Sequence, residues 1–207
     1  MGPLKTNCYM IVSGGEAIVL DVGFPREALE IADFILSRGL KVKMFIATHG
    51  HFDHVMGFNA LRRRLKIHIP LLIHLNDIEL LSRAGEALRK YFGIELAPPK
   101  PDQTLDGGEE VSVGDLTFKV IHVPGHTMGS IALYSEEGLL FTGDTLFKRY
   151  VGRCDFPESN CRLLGDSIRR LFQLPLETKV YPGHMEETTL EEEFLLNPYV
   201  KSVLENW

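Results

Sequence analysis

Apolar positions along the chain fall into short β-rich runs, broken by glycine, proline and polar clusters. Asn7–Val12 and Ala17–Asp21 are two such runs, and Ser13-Gly14-Gly15 between them is a hairpin signal. Pro25 suits the first turn of a helix running to about Arg38, where Leu29, Ala32, Phe34, Ile35 and Leu36 predict a broad buried stripe and Gly39 a stop. A strand at Lys43–Ala47 follows, then a polar loop and a helix from near Val55 through Leu65. Ile67–Ile73 reads as a strand broken at Pro70. Asn76 is positioned to cap a helix over Asp77–Tyr91, closed by Gly93, and Ala97–Gln103, with three prolines, predicts a loop. Further on, Glu110–Val113, Leu116–Val123, Ile131–Tyr134 and Leu139–Phe141 predict strands, with turns at Gly114-Asp115 and Glu136-Glu137-Gly138. A helix from about Asn160 to Phe172, a strand at Lys179–Tyr181 and one or two helices from Leu190 onward complete the pattern. Helices covering the outer faces of two packed sheets account for this order.

Composition changes the picture little. The chain has 207 residues, enough for one domain over residues 1–207 with a substantial core. A formal charge of −6 argues against a nucleic-acid partner, because phosphate binding needs clustered Lys and Arg. The basic run Arg62-Arg63-Arg64 with Lys66 fits the solvated face of a helix. Cys8, Cys154 and Cys161 are an odd number without a C-x-x-C pair, and they read as reduced thiols in a cytoplasmic protein. The start shows no charged n-region followed by an apolar h-region. No apolar run reaches the ~18 residues a membrane span requires. Neither secretion nor membrane insertion is expected.

Chemistry enters at Ala47–His54, which reads A-T-H-G-H-F-D-H. His49, His51, Asp53 and His54 pack three imidazoles and a carboxylate into six positions after an apolar run. A polar loop explains one such histidine but not this density. Imidazole and carboxylate are ligands suited to zinc, iron or manganese. In a tight loop leaving a strand, His49 and His51 can serve one metal, and Asp53 and His54 a second one nearby. Three more candidates each follow a strand and a glycine: His126 in V-P-G-H-T-M-G-S, Asp144 in L-L-F-T-G-D-T, and His184 in V-Y-P-G-H-M. Glycine lets the backbone approach closely or take positive φ. His68, His74 and His122 lack this context and read as structural or surface residues.

H-x-H-x-D-H with a later His, Asp and His resembles the metallo-β-lactamase superfamily over nearly the whole chain. The opening G-P-L-K-T-N-C-Y, D-V-G at Asp21–Gly23, T-G-D-T-L-F and the late N-P-Y are similar to its short glyoxalase II-like (hydroxyacylglutathione hydrolase-like) branch. The resemblance implies an α/β fold, a four-layer αβ/βα sandwich of two mainly β sheets packed face to face with helices outside. It implies one metal site at His49, His51 and His126 and a second at Asp53, His54 and His184, with Asp144 bridging. The cofactors would be two divalent ions, zinc first, with iron or manganese as alternatives. Asp53 and Asp144 would take part in catalysis. Arg153 matches a basic residue that helps to hold glutathione in that branch, while Asp155 stands near where the branch has a tyrosine; a structural ion pair between Arg153 and Asp155 is the alternative reading.

Two cations sharing a bridging hydroxide suit hydrolysis of a small thioester, a glutathione thioester being the expected substrate, and no serine or cysteine nucleophile is needed. The stretch G-R-C-D-F is also similar to persulfide dioxygenases, which implies an alternative with one iron on His49, His126 and Asp144. Hydrolysis of a lactone or other ester is a further alternative. The acidic balance disfavours an RNA-processing relative. The complete ligand set disfavours a binding module without activity.

Overall fold

The computed structural model describes residues 2–205. They divide into two compact units: one runs to Leu105 and includes Ser112–Leu116, and the other holds Asp106–Val111 and the chain from Thr117 onward. Each unit combines strands and helices, so the architecture is α/β.

The first unit is built on a five-stranded sheet of order β1-β2-β3-β4-β5: β1 (Tyr9–Ser13), β2 (Glu16–Leu20), β3 (Lys41–Ile46), β4 (Leu71–His74) and β5 (Gln103–Leu105). The first pair is an antiparallel hairpin and the remaining neighbours are parallel. Parallel strands need crossovers, and helices supply them. Helix α1 (Pro25–Arg38) starts at its proline and ends at Gly39, whose φ of +60° lets its N–H reach the carbonyls of Ile35 and Leu36. The broad stripe expected for this helix is narrower in fact. Only Ala28, Ala32 and Ile35 are buried, whereas Leu29, Phe34 and Leu36 are exposed. Each residue turns ~100° about the axis, so the neighbours on either side of Ile35 point away from the sheet.

The segment after β3 is also more broken than its apolar pattern predicts. A first turn, α2 (Phe52–Val55), begins ahead of the expected start, and α3 (Phe58–Leu65) follows. Gly57 separates them because the backbone passes Val22 there; a Cβ would stand 2.4 Å from Val22 Cγ1. The strand expected over Ile67–Ile73 is confined to β4, since Pro70 has no N–H to donate to a ladder and the sheet begins beyond it. The helix expected over Asp77–Tyr91 is three pieces: a 3₁₀ turn at Leu75–Asp77, α4 (Ile78–Ser82) and α5 (Ala84–Phe92). Asn76 does not cap them. His74 caps the 3₁₀ turn, its Nδ1 accepting the Asn76 N–H at 3.2 Å. The break before α5 accompanies Gly85, where a Cβ would lie 2.4 Å from the Leu96 carbonyl oxygen. The core joins Val19, Phe45, Phe58, Leu61, Leu71 and Ile73. Each fully buried side chain of this size contributes about 1.5–3 kcal/mol.

The other sheet has the order β13-β12-β9-β8-β7-β6, from β6 (Glu110–Val113), β7 (Leu116–His122), β8 (Ile131–Ser135), β9 (Leu139–Gly143), β12 (Lys179–Pro182) and β13 (Thr188–Thr189). Here β7, β8 and β9 form an antiparallel meander, and β12 joins β9 in parallel. A two-stranded ribbon, β10 (Leu146–Phe147) with β11 (Tyr150–Val151), and the short β13 escaped the sequence pattern because two residues carry no period. Helix α6 (Cys161–Leu171) is capped by Asn160, whose side chain accepts the N–H groups of Arg162 and Leu163. Helices α7 (Leu190–Leu196) and α8 (Pro198–Glu205) follow. Leu164, Ile168, Leu171, Val180 and Leu190 anchor the core of this unit.

The cysteines depart from expectation. Cys8 is a free thiol, but Cys154 and Cys161 form a disulfide across a Cα–Cα distance of 4.9 Å. Their separation of seven residues matches no common framework, and only the return of the loop onto the start of α6 brings them together.

Candidate metal centre

In the first unit the ligand candidates follow β3 directly. β2 and β3 run parallel, so Asp21 leaves one strand beside Thr48 on the other. Asp21 is buried and held at φ +50°, a conformation costly for a residue with a side chain. Its carboxylate offsets that cost by collecting donors. Thr48 N–H donates to Oδ1 at 2.8 Å, Thr48 Oγ1 to Oδ2 at 2.7 Å, and His54 Nδ1 lies 2.8 Å from Oδ2. A carboxylate accepts, so the His54 proton sits on Nδ1 and the lone pair on Nε2. The Thr48 hydroxyl has spent its hydrogen on Asp21 and accepts from His49 Nδ1 at 3.1 Å, which gives His49 the same tautomer. His49 and His54 are wholly buried, with ring centroids 4.1 Å apart, and the half-buried His51 lies 4.9 Å from His49. Asp53 Oδ2 accepts the Thr6 hydroxyl at 3.0 Å and lies 3.6 Å from His54 Nε2.

Glycine makes this arrangement possible. A Cβ on Gly23 would stand 2.0 Å from the Asp53 carbonyl oxygen, which explains the glycine of D-V-G. The loop is also tied down by Gly50 N–H, which donates to Asp77 Oδ2 at 2.8 Å.

In the second unit the candidates come from three strand ends. His126 follows β7, Asp144 follows β9 and His184 follows β12. Because β9 and β12 are parallel, Asp144 and His184 leave the sheet on the same side, with Gly183 N–H bonded to the Gly143 carbonyl at 2.8 Å. Asp144 Oδ2 is 3.6 Å from His126 Nε2 and 3.4 Å from His184 Nε2. The Arg153 carbonyl sits 2.8 Å from His126 Nδ1 and can only accept, so Nε2 again carries the lone pair. Gly152 permits this packing, since a Cβ would come within 1.8 Å of the Asp144 carbonyl oxygen.

These separations fit metal ligation. Nitrogen and oxygen ligands at about 2.0–2.2 Å from a tetrahedral ion stand about 3.3–3.6 Å apart. The observed 3.4–3.6 Å pairs match that spacing and exceed the usual N–H···O range of about 2.7–3.2 Å. The histidine tautomers, fixed through the opposite ring nitrogen, are those that metal-binding imidazoles adopt.

The structure thus gathers His49, His51, Asp53 and His54 in one unit, and His126, Asp144 and His184 in the other. The Arg153 side chain is engaged elsewhere: Nε and Nη2 each lie 2.9 Å from the Asp155 carboxylate, and the guanidinium covers the Phe156 ring at 4.3 Å. The paired hydrogen bonds from Arg153 hold the Asp155 carboxyl below its ordinary range. His68 is exposed beside Asp102, the half-buried His122 lies near the Met128 carbonyl, and His74 is the buried cap already described. Sequence reasoning missed the supports Thr6, Thr48 and Asp77. Burial, reinforced by the Asp21 charge, pushes the Cys8 thiol far above its ordinary range, so it is a poor nucleophile.

Residues 1–184 match the metallo-β-lactamase superfamily, and the chain belongs to it. It has the metallo-β-lactamase fold, α/β with mixed sheets and helices. Among its relatives, the probable metallo-hydrolase YqgX of Bacillus subtilis is 31% identical over 97% of this chain and 94% of its own length. The hydroxyacylglutathione hydrolase GloC of Haemophilus influenzae is also 31% identical, over 96% of this chain and 94% of its own. Of solved structures, the B3 metallo-β-lactamase BLEG-1 is 32% identical with a TM-score of 0.87, covering 97% of this chain and 96% of that one. A di-iron-bound form of TTHA1623 is 36% identical with a TM-score of 0.86, covering 96% and 97%.

Proposed function

We propose that this protein is a metal-dependent hydrolase of a small thioester, acting as one domain in the cytoplasm. His49, His51 and His126 would hold one divalent ion, Asp53, His54 and His184 a second, and Asp144 would serve both. The observation that carries this reading is the position of Asp144 Oδ2, 3.6 Å from His126 Nε2 and 3.4 Å from His184 Nε2. One carboxylate oxygen thus lies beside two imidazoles that the resemblance assigns to different ions. When bound, two such ions supply Lewis acidity toward a carbonyl and acidify water.

The protein's own groups account for the rest. Asp21 and the Arg153 carbonyl engage Nδ1 of His54 and His126, so the neutral ring of each presents its Nε2 lone pair as the ligand atom. Asp53 and Asp144 supply anionic charge that offsets that of the ions. Burial keeps Cys8 in its thiol form, so it is no candidate for an acyl-enzyme, and the other two cysteines are joined to each other in the structure. A thioester suits this chemistry, because its carbonyl has weak resonance and thiolate leaves readily. We assign Arg153 to an anionic part of the substrate, from which Asp155 would have to yield. The hydrolase names of the Bacillus and Haemophilus relatives support the class, and the latter supports glutathione as the carrier. Zinc is our first choice of metal.

Iron is favoured by one specific observation, the di-iron-bound form of the TTHA1623 neighbour. A second reading, oxidation of a persulfide at a single iron on His49, His126 and Asp144, rests instead on the resemblance of the G-R-C-D-F stretch. One experiment separates the two. Purified protein is loaded with zinc or iron, its metal content measured, and S-lactoylglutathione, a lactone, a β-lactam and glutathione persulfide are offered in turn. We expect zinc-dependent release of thiol from S-lactoylglutathione, abolished by a chelator and restored by zinc. Oxygen uptake with the persulfide and no thioester turnover would transfer the assignment to the oxidative reaction.

A further inference from the structure

The loop between Arg153 and Cys161, within the second unit, holds His126 in a way that the ligand assignment does not use. The Arg153 carbonyl accepts from His126 Nδ1 at 2.8 Å, and the Phe156 ring lies edge-on to the imidazole at 5.9 Å. Ser159 Oγ donates to the His126 carbonyl at 2.6 Å, and Asn160 N–H donates to the Gly125 carbonyl at 2.8 Å. The outermost of these contacts come from Arg153 and Asn160, which immediately precede Cys154 and Cys161 in the chain. The Cys154–Cys161 disulfide therefore joins the two ends of the loop beside the points where it grips Gly125 and His126. Cys154 packs against the core of the unit, whereas Cys161 is exposed at the first position of α6.

We propose that this disulfide is an exchange site for low-molecular-weight thiols, and that its redox state sets how firmly His126 is held. The role of His126 as a metal ligand rests on the function proposed above; the exchange and the loosening of the loop do not. A small thiolate attacks the accessible Cys161 Sγ. The S–S bond breaks, its electron pair leaves on Cys154 Sγ, and a proton from the medium completes that thiol. A second thiolate attacks the small-molecule sulfur of the mixed disulfide, releasing Cys161 as a thiol and the small molecules as their own disulfide. Two small thiols are oxidised and one protein disulfide is reduced, a balanced two-electron exchange. The reverse reaction recloses the loop. In a cytoplasmic protein an accessible disulfide is expected to be of this exchanging kind rather than a permanent brace.

Opening the bond removes a covalent constraint from a loop that keeps its hydrogen bonds, so the fold persists while the hold on the imidazole weakens. Groups that orient a metal-binding histidine through its other nitrogen typically change metal affinity about 10–100-fold when lost. Partial loosening is expected near the lower end, about 10-fold.

The test equilibrates the full chain, metal-free, in buffers of graded glutathione to glutathione-disulfide ratio. After acid quenching, free thiols are counted by mass. We expect one free thiol, Cys8, in oxidising buffer and all three cysteines free in reducing buffer. Amide exchange at Gly125 and Asn160 should quicken about 10-fold in the reduced form, with the β8–β9 amides unchanged. Zinc affinity, measured by chelator competition, should fall by a similar factor. Cys161→Ser should behave like the reduced protein in every buffer. A thiol count fixed at one would overturn the proposal. So would a change from one to three with exchange at Gly125 and Asn160 unaltered. If those amides respond but neither form binds zinc, this proposal stands and the metal assignment fails.

Discussion

The two units present their ligand candidates by opposite means. In the first, four of them occupy one loop, and a single buried carboxylate organises the surroundings: Asp21 receives Thr48 twice and faces His54. In the second, three candidates leave three different strands, and their spacing follows from the register of β9 with β12 and from main-chain contacts such as the Arg153 carbonyl. The first arrangement is compact but hangs on one residue. The second is spread over much of the unit, so no single side chain controls it. A change in backbone spacing is what should disturb it.

Replacing Asp21 is the strongest way to break the comparison. Asp21→Ala leaves the Thr48 N–H, the Thr48 hydroxyl and His54 Nδ1 in a buried space without their acceptor. Losing the central acceptor of a buried network typically costs about 3–5 kcal/mol. A urea melt should show that loss, and metal affinity should drop about 10–100-fold because His54 and His49 are no longer oriented. Should the variant melt and bind metal as the parent does, Asp21 is not the organiser described here.

The second unit is challenged at its backbone instead. In Gly152→Ala the new methyl would lie 1.8 Å from the Asp144 carbonyl oxygen and 3.3 Å from His126 Cβ, so the chain must shift. Overpacking of this kind typically costs about 1–3 kcal/mol. The shift would pass directly to Asp144 and His126, and metal content should fall although no ligand has been altered. Retained metal at full parental affinity would show that the second arrangement tolerates backbone movement, contrary to the view taken here.

The same contrast explains what the amino-acid sequence reveals. The H-G-H-F-D-H cluster is legible because its spacing is local, and the other ligand candidates are legible because each follows a strand and a glycine. Asp21, Thr48 and Thr6 are harder to see. Their roles arise only when β2 lies beside β3 or when the chain before β1 reaches Asp53, and neither pairing is written at any fixed spacing. The disulfide was hidden for the same reason: its closure depends on the loop before α6 returning to Cys154. Helix breaks at Gly57 and Gly85 come from backbones passing close by, which an apolar period cannot register. Two packed sheets with helices outside can be expected from the order of strands and helices, and the four-layer form from the resemblance, while the order of the strands within each sheet needed the structure.

The smallest effect is expected in the first unit, away from its ligand loop. Asp102 ties β5 to α3 and β4: Arg62 pairs with its carboxylate, Leu71 N–H donates to it at 2.8 Å, and His68 lies 3.2 Å away. Burial pushes this carboxyl up, but the Leu71 hydrogen bond and the Arg62 charge outweigh it and leave it below its ordinary range. A carboxyl depressed by folding stabilises the protein above its unfolded value of about 3.9, and the contribution disappears as pH falls through the lower folded value. Asp102→Asn should therefore cost under about 1 kcal/mol at pH 7, a modest figure because the pair is partly open to solvent. The variant also keeps an oxygen for Leu71, and Arg62 retains the Ile69 carbonyl. The difference between parent and variant in urea melts should shrink steadily below about pH 4. Metal affinity should not change, because no contact of Asp102 touches the ligand loop. A stability gap that stayed constant into acid would mean that the asparagine is worse for its shape rather than its charge.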